Sequence, residues 1–91
     1  MEPLSSDLLA AMRSVSEDAQ SRSIFNAIVQ EGGKTSGWAL AKQLGQDPEI
    51  LKVGIEKLRS LRIVDSTGSG LEGYYYLTQL GFQLRSSMIR A

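Results

Sequence analysis

Apolar residues recur at helical spacing along most of the chain, interrupted by two short stretches, Ile63-Val64 and Tyr74 to Leu77, that favour extended backbone. Leu4, Leu8, Ala11, Met12 and Val15 return every three or four positions, which predicts an amphipathic helix over 4–14. Ser5 or Ser6 would cap its start, and Asp7 suits the positive end of the helix dipole. Ser14-Val15-Ser16-Glu17 matches the S-x-x-E capping box and predicts a second helix over 17–31. Its apolar side is Ala19, Ile24, Phe25, Ala27, Ile28 and Val29. Gly32-Gly33 ends it, because glycine accepts the left-handed backbone beyond a helix end. Lys34-Thr35 reads as a short connector with room for one bridge of β-structure.

A compact helical pair follows. Ser36 is the expected N-cap of a helix over 37–44, with Leu40, Ala41 and Leu44 facing inward and Gly45 ending it. Gln46-Asp47 makes a tight turn, and Pro48 suits the first position of the next helix, 49–62, behind an Asp cap. Ile50, Leu51, Ile55, Leu58, Leu61 and Arg62 gather on one side of that helix. Glu49, Lys52, Glu56, Arg59 and Ser60 lie opposite. Ile63-Val64 then favours extended backbone. Thr67-Gly68-Ser69-Gly70 and Gly73 bracket a turn, and Tyr74 to Leu77 return as a strand. Tyr74 and Tyr76 fall on one face of that strand, Tyr75 and Leu77 on the other. Thr78 caps a last helix over 78–90, along which Leu80, Leu84 and Met88 are spaced by four.

The 91 residues make one domain: an N-terminal helix (4–14), a core (17–77) and a C-terminal helix (78–90). Without cysteine the chain forms no disulfide and no zinc–thiolate site; without histidine it lacks the commonest general base and metal ligand. No metal or cofactor is expected. Asp, Glu, Ser and Lys are present, but no spacing gathers them into a cleft, so no catalytic set is expected. Gly68-Ser69-Gly70 is not a phosphate loop, since no Lys-Ser/Thr and helix follow it. No apolar run approaches the roughly 18 residues of a membrane span, and the N-terminus has no signal-peptide pattern, so a cytoplasmic protein with no membrane contact is expected.

Net charge is zero but unevenly spread. Over 1–33, Arg13 and Arg22 stand against Glu2, Asp7, Glu17, Asp18 and Glu31, a net −3. Over 34–62, Lys34, Lys42, Lys52, Lys57, Arg59 and Arg62 stand against Asp47, Glu49 and Glu56, a net +3. The excess of cations falls on the helical pair, the direction that nucleic-acid binding needs.

The order helix, helix-turn-helix, hairpin, helix resembles the winged helix-turn-helix superfamily. Three stretches carry the resemblance: Leu40-Ala41-Lys42-Gln43-Leu44-Gly45, Leu58-Arg59-Ser60-Leu61-Arg62-Ile63-Val64, and Tyr76-Leu77-Thr78 followed by Gly81. It covers about residues 17–90 and implies a mainly α fold with a small β-hairpin, a winged helix-turn-helix with additional N-terminal and C-terminal helices. Such folds serve bacterial repressors of the multiple-antibiotic-resistance, arsenical-resistance and phenolic-acid types, and also protein–protein contacts. In DNA-binding members the later helix of the pair enters the major groove, and the wing touches the neighbouring minor groove or backbone. On that pattern Lys52, Glu56 and Arg59 face bases, and Ser36, Trp38, Lys42 and Lys57 meet phosphates of double-stranded DNA. Terminal helices commonly dimerise such repressors, which implies a homodimer through Leu4, Leu8, Met12, Leu80, Leu84 and Met88. The chain departs from the pattern in its wing. From Ile63 to Leu84 it has no Lys or Arg, and Asp65 and Glu72 stand there instead. Either the wing does not touch DNA, or the domain does not bind DNA in the usual way.

Each candidate has a plainer reading. Lys52, Glu56 and Arg59 would equally form a solvated face laced by a Lys52–Glu56 pair. Trp38 would anchor a partner protein or stack on a base, or else pack against the wing or a terminal helix. The tyrosines would form a contact surface, or bridge strands over the core. The terminal stripes would cover each other within one chain. Two functions stay open: a DNA-binding transcriptional regulator, and a winged-helix module that grips another protein through Trp38 and the wing.

Overall fold

The structure, a computed structural model, describes residues 6–68 and 72–89, the side chains of 88 and 89 excepted. Helix α1 (Ser6–Glu17) runs past its expected end. Val15 is buried beside Leu8 and Ala11, so the apolar stripe carries the ladder on through Ser14. The Asp18 amide still donates to the Ser14 carbonyl at 3.1 Å. Asp18, in extended backbone, then precedes α2 (Ala19–Gln30). The Ser14–Glu17 capping box is therefore not formed; those residues close α1 instead of opening α2.

Gly32 and Gly33 end α2 with paired bonds: Gly33 N–H to the Ile28 carbonyl at 2.9 Å and Gly32 N–H to that of Val29 at 3.0 Å. Both have positive φ, the Schellman close that glycine suits. The expected connector is a full strand, β1 (Lys34–Ser36). Ser36 Oγ accepts from Ala39 N–H at 3.1 Å and starts α3 (Gly37–Leu44), which ends at left-handed Gly45. Asp47 Oδ1 accepts from Glu49 N–H at 2.9 Å and starts α4 (Pro48–Ser60), with Pro48 in its first turn.

The end of α4 repeats the Schellman pattern without glycine. Ile63 N–H donates to the Leu58 carbonyl at 3.3 Å, and Arg62 holds the left-handed position at φ 65°. Strands β2 (Val64–Thr67) and β3 (Tyr74–Leu77) follow, then α5 (Gln79–Ile89). The sheet is antiparallel in the order β1-β3-β2, with Tyr75 opposite both Thr35 and Ser66. Thr78 ties this end together. Its hydroxyl accepts from Gly81 N–H at 3.1 Å and donates to the Arg62 carbonyl at 2.6 Å, while its own amide donates to the Ile63 carbonyl at 3.1 Å.

Among the described residues the chain is mainly helical, with five helices and one small sheet, the architecture of a winged helix-turn-helix flanked by terminal helices. The core draws on Ile24, Phe25 and Ile28 of α2, Leu40 of α3, Leu51, Ile55 and Leu58 of α4, and Tyr75 and Leu77 of β3. Both α3 and α4 rest on α2, while α1 packs on α2 and α5. The terminal helices thus pack on α2, on β3 and on each other.

Candidate functional site

The outward side of α4 is built by subtraction. Leu51, Ile55 and Leu58 turn into the core, with Gly54 against Ile24 of α2. That leaves Glu49, Lys52, Val53, Glu56, Arg59 and Ser60 exposed. Ile50, expected inward, is 57% exposed, because the buried strip of α4 is narrower than its apolar pattern. It sits at the rim beside α2, where Gln20 Nε2 donates to its carbonyl at 2.9 Å.

Ion pairs redistribute the charge of this surface. Arg59 Nη1 lies 3.0 Å from Glu56 Oε1, so Glu56 is engaged one turn onward and the expected Lys52–Glu56 pair is not formed. Lys57 points the other way and meets Asp18 Oδ2 at 3.2 Å. Ser21 Oγ donates to the same carboxylate oxygen at 2.6 Å. The Ser21 hydroxyl first, and the Lys57 ammonium second, hold the Asp18 carboxyl below its ordinary pKa. Lys57 thus meets Asp18 at the α1–α2 elbow while its side chain stays 59% exposed. Among the described residues Lys42 and Lys52 are exposed and outside any ion pair.

The start of α3 is partly spent on the fold. Ser36 Oγ serves as the cap, and Gly37 N–H donates to the Gly73 carbonyl at 3.2 Å, locking α3 to the base of the wing. Trp38 is 58% exposed, so it packs neither under the wing nor under a terminal helix. Tyr75 is buried, which raises its phenol pKa, and Tyr76 is half-buried; these two follow the plainer reading. Tyr74 is 50% exposed. Val53 on α4 is 62% exposed.

Lys34 is a residue that the sequence did not single out. Its Nζ lies 5.0 Å from the centre of the Tyr74 ring. β1 pairs Ser36 with Tyr74 and Lys34 with Tyr76, so Lys34 shares the outer face of the sheet with both tyrosines. Reading 34–35 as a connector hid this, since the contact depends on strand pairing across 40 residues of chain.

The expected dimer set is largely spent within the chain. Leu8 and Leu84 are buried, and Met12 and Leu80 pack partly buried against the same core. The alternative held open from the sequence, that the terminal stripes cover each other, describes these four. Leu4 and the Met88 side chain lie outside the described residues. No helix among the described residues is long and apolar enough to cross a membrane, and none of their Asp or Glu side chains form a group able to hold a metal.

No family model matches the chain, and no curated protein matches it.

Proposed function

We propose that this chain is a DNA-binding protein, a transcriptional regulator that sets α4 in the major groove of double-stranded DNA. The observation that carries the reading is the exposed outward side of α4, with Lys52 exposed and outside any ion pair on it. Lys52 is suited to the acceptor edge of guanine. Lys42, also unpaired, is suited to a phosphate. Arg59 reaches a base only by exchanging Glu56 for it, and Glu56 is suited to the cytosine amino group. In this reading affinity comes chiefly from phosphate neutralisation and falls with salt. Two copies acting together would place two α4 helices in successive major grooves. Since Leu8 and Leu84 are core residues, such a dimer would meet through outward positions of the terminal helices, such as Leu9, 51% exposed on α1. A cytoplasmic site of action and the absence of catalysis belong to the same reading.

The test is binding of a mixed-sequence duplex at about 50 and 200 mM salt, a range over which phosphate-driven affinity drops strongly. Binding at low salt that weakens with salt, and weakens again in Lys52→Ala, is expected. Absence of binding at low salt would overturn the reading. It would leave the second one, a winged-helix module that grips a protein. Trp38, Ile50, Val53 and Tyr74, all more than half or half exposed, favour that alternative as apolar anchors.

A further inference from the structure

The wing has no cation of its own between Ile63 and Leu84. The sheet supplies one. β1 pairs antiparallel with the wing's return strand β3, and its Lys34 carries an ammonium to within 5.0 Å of the Tyr74 ring centre. Tyr74 is the first residue of β3 and so stands at the turn end of the hairpin, with half its surface exposed. Opposite Tyr74 on β1 is Ser36, the cap of α3, and one residue beyond Gly37 comes exposed Trp38. The Gly37 amide donates to the Gly73 carbonyl at 3.2 Å, which fixes the start of α3 against the start of β3. A cation and a phenol thus share the outer face of the sheet, and the Gly37–Gly73 bond ties that end of β3 to the start of α3, where Trp38 is exposed.

We infer that Lys34 and Tyr74 form a contact for the sugar–phosphate backbone of duplex DNA beside the groove that α4 occupies, with a β1 lysine standing in for the cation the wing lacks. The inference rests on the duplex-binding reading above and extends it to two residues outside the helix-turn-helix. Lys34 places a positive charge next to the hairpin, where Asp65 and Glu72 alone would repel phosphate. The Tyr74 ring restrains that ammonium and shields its stem, since a cation over an aromatic face is attracted to the ring. The Tyr74 hydroxyl is a second donor to phosphate oxygen, and neither group reads sequence. Arg85 offers an internal comparison: its guanidinium stands 5.8 Å from the Phe82 ring centre on α5, the same kind of contact on another element.

The experiment measures affinity for a mixed-sequence duplex against salt for the native chain, Lys34→Gln, Tyr74→Phe, Lys52→Ala and Arg85→Gln, with thermal melting of each. Removal of one phosphate contact lowers the slope of log affinity on log salt by about 0.9. That change is expected for Lys34→Gln, with a smaller loss of affinity for Tyr74→Phe, unchanged melting, and no change of slope for Arg85→Gln. If Lys52→Ala weakens binding but Lys34→Gln matches the native chain, or matches Arg85→Gln in its loss, the Lys34–Tyr74 pair does not touch DNA while α4 does. If the native chain binds no duplex at low salt, the Lys34–Tyr74 contact and the α4 reading fall together.

Discussion

Lys57 Nζ lies 3.2 Å from the carboxylate of Asp18, a residue 39 positions away that sits at the elbow between α1 and α2. The contact fixes the C-terminal half of α4 against that elbow, and Ser21 donates to the same oxygen at 2.6 Å. Because both partners favour the charged carboxylate, its pKa in the folded chain is depressed. A depressed carboxylate stabilises the fold above its unfolded pKa and loses that contribution as pH falls through the folded value. The urea midpoint of the native chain is therefore expected to fall as pH drops below about 4, and Asp18→Asn to flatten that part of the profile. Superimposable profiles would show that the elbow contact contributes nothing in solution.

Gly81 sets how closely α5 approaches the wing. A Cβ there would run into the backbone carbonyl of Ile63, which already accepts from the Thr78 amide. Backbone on both sides cannot yield as a side chain can. Alanine favours a helix interior over glycine by about 1 kcal/mol, yet overpacking costs typically about 1–3 kcal/mol. Gly81→Ala is expected to lower stability in urea denaturation despite its better helix propensity. A gain in stability would mean that α5 can move off Ile63 freely.

Arg62 holds a left-handed backbone where glycine is usual. The conformation costs a side-chain-bearing residue roughly 1–2 kcal/mol, partly offset by the greater entropy that glycine loses on folding. Arg62→Gly is expected to raise the urea midpoint by an amount equivalent to under about 1 kcal/mol. The Arg62 carbonyl, bonded by the Thr78 hydroxyl at 2.6 Å, keeps its place in either case. A marked loss of stability would show that the arginine side chain itself supports the fold.

Leu84 and Leu9 separate core from surface on the terminal helices. Leu84 is buried against α1, so Leu84→Asp is expected to unfold the chain and cannot report on association. Leu9 is exposed, so Leu9→Asp is expected to leave the single chain folded. Under the dimer reading, sedimentation should give twice the chain mass for the native protein and the single-chain mass for Leu9→Asp. A native protein that sediments as one chain would remove the dimer without touching the fold.

Local chemistry made most elements legible in the sequence. Ser36, Asp47 and Thr78 cap the helices they were expected to cap, and Gly33 and Gly45 close α2 and α3, because caps act within four residues. The face of β3 that holds Tyr75 and Leu77 is the buried one, as strand alternation required. The misreadings share one origin in long-range packing. Ser14–Glu17 looks like a cap locally, but Val15 is wanted by the core and extends α1. Ile50 belongs to an apolar pattern that the narrower α2–α4 contact leaves outside. At the candidate site the exposed side chains of α4 were legible from the helical wheel. Their partners were not, since Lys57–Asp18 and Lys34–Tyr74 join residues about 40 positions apart.

In the proposed function the outward side of α4, with the start of α3, meets DNA. Backbone amide chemical shifts recorded while a mixed-sequence duplex is added at low salt test it directly. Shifts concentrated at 36–38 and 49–56, with α1 and α5 undisturbed, are the expected result. An unchanged spectrum, or shifts confined to the terminal helices, would contradict it.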